Sequence, residues 1–289
     1  MTQAAEPKTP VLLRVLQFPL TRLVLLGGVL FVLMGVKNGF SAKYAAQPLL
    51  NLAAVGAMSA LSLAVYMAFV RLIEQRAVTE LSLPGMGREL GVGLLGGVSL
   101  YTLCVLVLMM LGVYRVDGFN PVSFMLPVVA MALGSGVIEE LVFRGALFRI
   151  VEEWLGSWVS VVVSSLMFGL VHLANPASTL TGALFISVEA GLLLAAAYMV
   201  TRRLWLAMGF HMAWNFTQSG VFSGVVSGSD SAPGLIKATI QGPDLLTGGS
   251  FGLEASVIAC VLCTTTGVLL LRMAIKRGHV VRPPWSRNN

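Results

Sequence analysis

The sequence predicts an all-α, polytopic membrane protein with about eight transmembrane helices, and three observations predict it. Hydrophobic residues make up 56% of the 289-residue chain and charged residues 11%, with a mean hydropathy of +0.85. A soluble domain carries roughly 25% charged residues, so too few polar side chains remain to coat a water-facing globule. The apolar residues gather in runs long enough to cross a bilayer core, which takes about 20 residues of helix. The Lys and Arg residues stand at the ends of those runs and form no stripe.

Taken in order, the runs lie near 20–36, 49–73, 91–113, 121–149, 157–174, 180–200, 204–222 and 251–275. The first is short and follows Lys8, Arg14 and Arg22, as a secretory signal would. Its only small-x-small site is Gly39-Phe40-Ser41, so an uncleaved first span is expected. Residues 74–90 form a linker with a turn at Pro84-Gly85. The longest non-apolar stretch, 223–250, is rich in Gly and Ser and is expected to be an extracytoplasmic loop. The chain therefore divides into 1–120 (N-terminal spans and linker), 121–222 (core) and 223–289 (loop, last span and basic tail). No internal repeat is visible, which counts against an inverted-repeat transporter.

Charge sets the orientation. With the N-terminus inside, the inner segments hold Lys8, Arg14, Arg22, Arg71, Arg76, Arg88, Arg144, Arg149, Arg202, Arg203, Arg272, Lys276, Arg277, Arg282 and Arg287. The outer segments hold Lys37, Lys43, Arg115 and Lys237. This bias of 15 to 4 places both termini in the cytoplasm of a multi-pass plasma-membrane protein and requires an even number of spans. It also accounts for the net charge of +6 without nucleic acid as a partner. Cys104, Cys260 and Cys263 all lie in apolar runs, so they read as small core residues and not as a disulfide framework.

A charged side chain at a helix centre costs about 2.5–3.5 kcal/mol even on the mild insertion scale. Four runs accept ionisable or strongly polar groups: Glu139, Glu140 and Arg144 in the fourth, His172 in the fifth, Glu189 in the sixth, His211 and Asn215 in the seventh. At 1.5 Å of rise per residue, Glu139, His172, Glu189, His211 and Asn215 fall about 10–22 Å from the inner ends of their spans. They are expected to share one wet cavity. Glu140 and Arg144 stand i,i+4 and should face each other, leaving Glu139 on another face. His211 and Asn215 share a face by the same spacing, as do Phe168 and His172. The blander reading of each motif alone is a structural ion pair, a satisfied bundle histidine or interhelical glue; their joint occurrence favours function.

The chain has neither HExxH nor GxSxG. A carboxylate with an imidazole suits water activation, so Glu139 and His172 are candidates for general-base catalysis. His211 and Asn215 are candidates to donate hydrogen bonds to the oxyanion of a tetrahedral intermediate.

The run Glu139-Glu140-Leu141-Val142-Phe143-Arg144 has the form EExxxR, Phe168-Gly169-Leu170-Val171-His172 the form FxxxH, and His211-Met212-Ala213-Trp214-Asn215 the form HxxxN. In this order, and in separate late spans, they resemble the motifs of the CPBP family, the type II CAAX prenyl endopeptidase and Abi group. The resemblance covers roughly 121–222. It implies an eight-helix intramembrane glutamate-protease fold, with Glu139 and His172 activating water, His211 and Asn215 as the oxyanion hole, and Glu140 and Arg144 in support. Phe168 and Glu189 are placed as cavity-lining, and Glu189 lies outside the motifs.

No cofactor is firmly implied. Glu139, Glu140, His172 and His211 could offer N and O ligands to a divalent metal, but their spacing is no zinc signature, so a metal is not favoured. The implied partners are a membrane-associated peptide or protein and the bilayer itself. Two other functions remain open on the sequence: a proton-coupled transporter using the same groups as a relay, and a non-catalytic membrane scaffold or immunity factor.

Overall fold

The computed structural model describes residues 10–230 and 233–286. Lys8 and Arg287, both counted above among the basic flanks, lie outside the described residues. Seven helices among the described residues are long and apolar enough to cross a membrane: α1 (Pro19–Lys43), α2 (Pro48–Leu72), α3 (Met86–Met110), α4 (Val122–Leu155), α5 (Ser157–Ala174), α6 (Leu180–Thr201) and α8 (Val257–Lys276). The seventh rod in chain order, α7, is Trp205–Asn215 continued without a break by Phe216–Val221. It is shorter than the rest and sits in the interior, with Ala207, Met208, Ala213 and Trp214 buried.

Rods stand at all eight expected runs, with shifted ends, but among the described residues seven of them, and not the one at 204–222, are long and apolar enough to cross a membrane. The first run reaches Lys43 because Lys37 and Asn38 stay helical. The third begins earlier, at Met86, because Gly85 takes a φ of 81° and releases the chain into a helix there. Arg88 and Glu89 thus belong to its first turns rather than to a linker.

An all-α reading leaves out one element. Strands β1 (Tyr114–Phe119) and β2 (Ile236–Ile240) pair antiparallel, from Tyr114 opposite Ile240 to Phe119 opposite Ile236. β1 lies between α3 and α4, and β2 lies in the long Gly/Ser-rich segment between α7 and α8. Outside the bilayer a loop need not be helical, and pairing satisfies the backbone groups of both segments at once.

Helix packing follows small residues, as expected where lipid removes the hydrophobic drive between helices. A Cβ added at Gly93 would run into the Leu206 carbonyl, and one at Gly97 into that of Phe210. α3 and α7 therefore approach backbone to backbone, with Gly93 and Gly97 one helical turn apart.

At one end of the bundle the basic flanks are paired rather than merely solvated. Arg149 Nη2 lies 2.8 Å from Glu74 Oε1, and its Nη1 lies 3.0 Å from Glu153 Oε1. Arg22 Nη2 approaches Glu153 Oε2 at 2.7 Å, and Arg202 Nη1 approaches Glu152 Oε1 at 2.9 Å. Glu80, in the loop between α2 and α3, pairs with Arg76 Nη2 at 2.7 Å and accepts from Tyr66 Oη. Burial alone would raise the Glu80 carboxyl. The Arg76 hydrogen bonds, the Arg149 charge and the Tyr66 hydroxyl outweigh it and hold the pKa at about 2.

Candidate active site

α4 carries the largest share of the site. Between Ser135 and Phe148 its backbone is wound mostly with i→i+5 bonds, a form that recurs at functional positions in helices. Gly136 lets α7 come close: a Cβ there would strike the Met212 side chain and stand 3.0 Å from the Met212 nitrogen. That approach brings Glu139 and Glu140 against His211.

Glu140 and Arg144 face each other, with Nη1 2.9 Å from Oε1, and both are fully buried. Arg144 Nη2 also donates to the Gly191 carbonyl at 3.2 Å, and its guanidinium stacks 4.7 Å from the Phe168 ring centroid. One side chain thereby joins α4, α5 and α6, satisfying a charge that lipid depth would otherwise make costly. The same Glu140 oxygen lies 2.8 Å from His211 Nδ1. That nitrogen donates, since the carboxylate can only accept, which leaves Nε2 facing Glu139 Oε2 at 3.9 Å. Glu139 keeps 17% of its side chain exposed, whereas Glu140 keeps none. The two adjacent carboxylates thus differ in role: one is locked, the other open.

His172 ends α5. Its Nδ1 lies 2.6 Å from the Phe168 carbonyl and must donate to it, which fixes the tautomer and leaves the Nε2 lone pair for another partner. Asn215 donates through Nδ2 to Ser135 Oγ at 2.8 Å, orienting its amide on α4.

Two cavities meet here in place of the single one expected. The outer, of about 290 Å³, is bordered by Glu139, His172, Asn215, Ser135, Lys37 and Asn175. The inner, of about 20 Å³, has room for roughly one water molecule. It is bordered by His172, Glu189, His211, Asn215, Phe168 and Glu254. His172 and Asn215 line both cavities, Glu139 only the outer, and His211 only the inner. Glu189 is buried on the inner side, and its Oε2 has no hydrogen-bond partner among the described residues.

Two participants escape a reading of the sequence. Charge counting places Lys37 in an outer flank, but it lies inside α1, is 7% exposed and borders the outer cavity. Glu254 precedes α8 and folds back beneath Trp214, whose Nε1 lies 3.4 Å from its Oε2, while the Ser227 backbone N–H also donates to it. Burial pushes its carboxyl up, against those hydrogen bonds and the His172 charge. A lone Glu in Phe251-Gly252-Leu253-Glu254 was the only available signal for it.

Among the described residues, no three His, Cys, Asp or Glu side chains converge closely enough to hold a metal ion.

A helical bundle with ionisable side chains from separate spans enclosed at membrane depth defines a polytopic membrane protein with an internal polar site. Residues 121–217, a part of the 289-residue chain, are similar to the profile described as type II CAAX prenyl endopeptidase, Rce1-like. The matched stretch contains all three motifs, from Glu139 to Asn215. No curated protein and no solved structure matches the chain. At the level of the family, the match supports a CAAX-type intramembrane endopeptidase.

Proposed function

We propose that the protein hydrolyses a peptide bond in a membrane-associated protein or peptide, with CAAX-type prenylated chains among the substrates its family suggests. Glu139 and His172 hold one water and take its proton as its oxygen attacks the scissile carbonyl. Asn215 through its amide and His211 through Nε2 donate to the resulting oxyanion. Collapse of the tetrahedral species breaks the C–N bond, and the proton held by the base passes to the departing amine. Glu140 and Arg144 fix His211 and join the spans, and no step uses a metal. The protein sits in the plasma membrane with both termini in the cytoplasm, a reading supported by the 15 to 4 distribution of basic residues.

One observation carries this reading: Glu139, His172 and Asn215, from three different helices, line the same cavity. The test uses detergent-purified protein and a fluorogenic peptide. Glu139→Ala and His172→Ala are each expected to lower kcat by about 10²–10⁴-fold with little change in melting temperature. If wild type cleaves no peptide, and Glu189→Gln abolishes proton flux in liposomes, the transport reading replaces this one.

A further inference from the structure

We propose that Lys37 anchors the free C-terminal carboxylate of the substrate in the outer cavity beside Glu139. The assignment rests on the endopeptidase reading and names the end of the chain that the site receives.

Lys37 lies on α1 within Leu33-Met34-Gly35-Val36-Lys37, away from the charged belt at the other end of the bundle. Its aliphatic stem crosses α4 at Gly134, where an added Cβ would meet its Cδ at 3.0 Å and its Cε at 3.5 Å. The absence of a side chain at Gly134 therefore makes room for the lysine to reach inward. Lys37 is 7% exposed and borders the cavity that Glu139, His172 and Asn215 line. Among the described residues it has neither a hydrogen bond nor an ion pair; the Glu139 charge acts on it from beyond contact distance.

A buried ammonium is costly to desolvate, and removing it from water without a paired anion leaves that cost uncompensated. Elsewhere in this bundle each deeply buried arginine has a carboxylate within contact: Arg144 has Glu140, and Arg149 has Glu74. Lys37 lacks one, and its cavity is the place where a ligand must sit. Glu139 is a poor permanent partner, because a carboxylate held by the ammonium is no longer free to take a proton from water. A cation in this position attracts an anionic chain end and repels an N-terminal ammonium. Asn38, the next residue, borders the same cavity and offers an amide to the second carboxylate oxygen. The volume of about 290 Å³ lies at the lower end for small-ligand pockets, so it suits a short chain terminus better than a polypeptide threaded through it.

The test compares one peptide ending in a free carboxylate with its C-terminal amide, on the full-length purified protein. Wild type is expected to favour the acid by about ten- to hundredfold in KM, with similar kcat. Lys37→Met should raise the KM of the acid to that of the amide, and Lys37→Arg should keep most of the preference. Lys43→Met, at the exposed end of the same helix, should keep all of it. Equal KM values for acid and amide in wild type overturn the assignment without any variant, so a misfolded Lys37→Met does not leave it undecided. An equal fall in kcat on both peptides for Lys37→Met, with the KM preference retained, also overturns it, because that marks a charge acting on the reacting atoms. Cleavage of neither peptide by wild type defeats the endopeptidase reading itself, and the anchor with it.

Discussion

His211 Nδ1 stands 2.8 Å from Glu140 Oε1, the oxygen that also accepts from Arg144 Nη1 at 2.9 Å. One fully buried carboxylate therefore both neutralises a buried guanidinium and aims an imidazole. Glu140→Ala should cost about 3–5 kcal/mol, because it leaves Arg144 uncompensated in the interior. Thermal melting in detergent reads the loss. Glu140→Gln, which keeps an acceptor, should melt between the two and turn over more slowly than wild type.

Asn215 and Ser135 form a donor–acceptor pair across α4 and α7. On the proposed mechanism, Asn215→Ala removes an oxyanion donor and should lower kcat by about 10²–10³-fold while leaving KM nearly unchanged. Ser135→Ala removes only the group that orients that donor, so its loss of kcat should be clearly smaller. Steady-state kinetics on both variants separate the two roles, and equal losses would count against the oxyanion assignment.

Glu80 makes stability depend on acid. Its folded pKa of about 2 lies below the ordinary value of 4.5, so its contribution is fully present above about pH 4.5. It is lost as pH falls toward 2, and its size is about 3 kcal/mol. Melting temperature in detergent should therefore drop across that window in wild type. Glu80→Gln should be less stable at neutral pH and show a flatter profile between pH 4.5 and 2.

The proposed mechanism activates its attacking water with side chains alone. Treatment with a strong chelator followed by desalting should leave the cleavage rate within about twofold of the untreated protein. A loss of activity restored by added zinc would defeat this expectation.

Much of this architecture is legible in the sequence for one physical reason: lipid tolerates few alternatives. A spanning segment must be a long apolar helix, so the runs stand out, and a polar group such as Glu139 or His172 inside one is conspicuous. The features that stay hidden depend on partners distant in the chain. Lys37 lies a few residues from the end of its helix and looks like an interfacial cation; only Gly134 opposite it turns it inward. Glu254 stands at the very start of the last apolar run, where it looks like an interfacial carboxylate, and its burial beneath Trp214 is a tertiary event. The pairing of Tyr114–Phe119 with Ile236–Ile240 joins segments more than a hundred residues apart, neither of which announces a strand by itself. The division of the polar space in two arises from packing around His172 and Asn215, which spacing along one helix cannot express.

That two-stranded ribbon has a mechanical consequence. It clasps the segment leading into α4 to the segment leaving α7, the two helices that present Glu139 and His211. Those helices are thus fastened outside the bilayer by backbone pairing and within it by Glu140. Two such fastenings oppose the separation of α4 from α7.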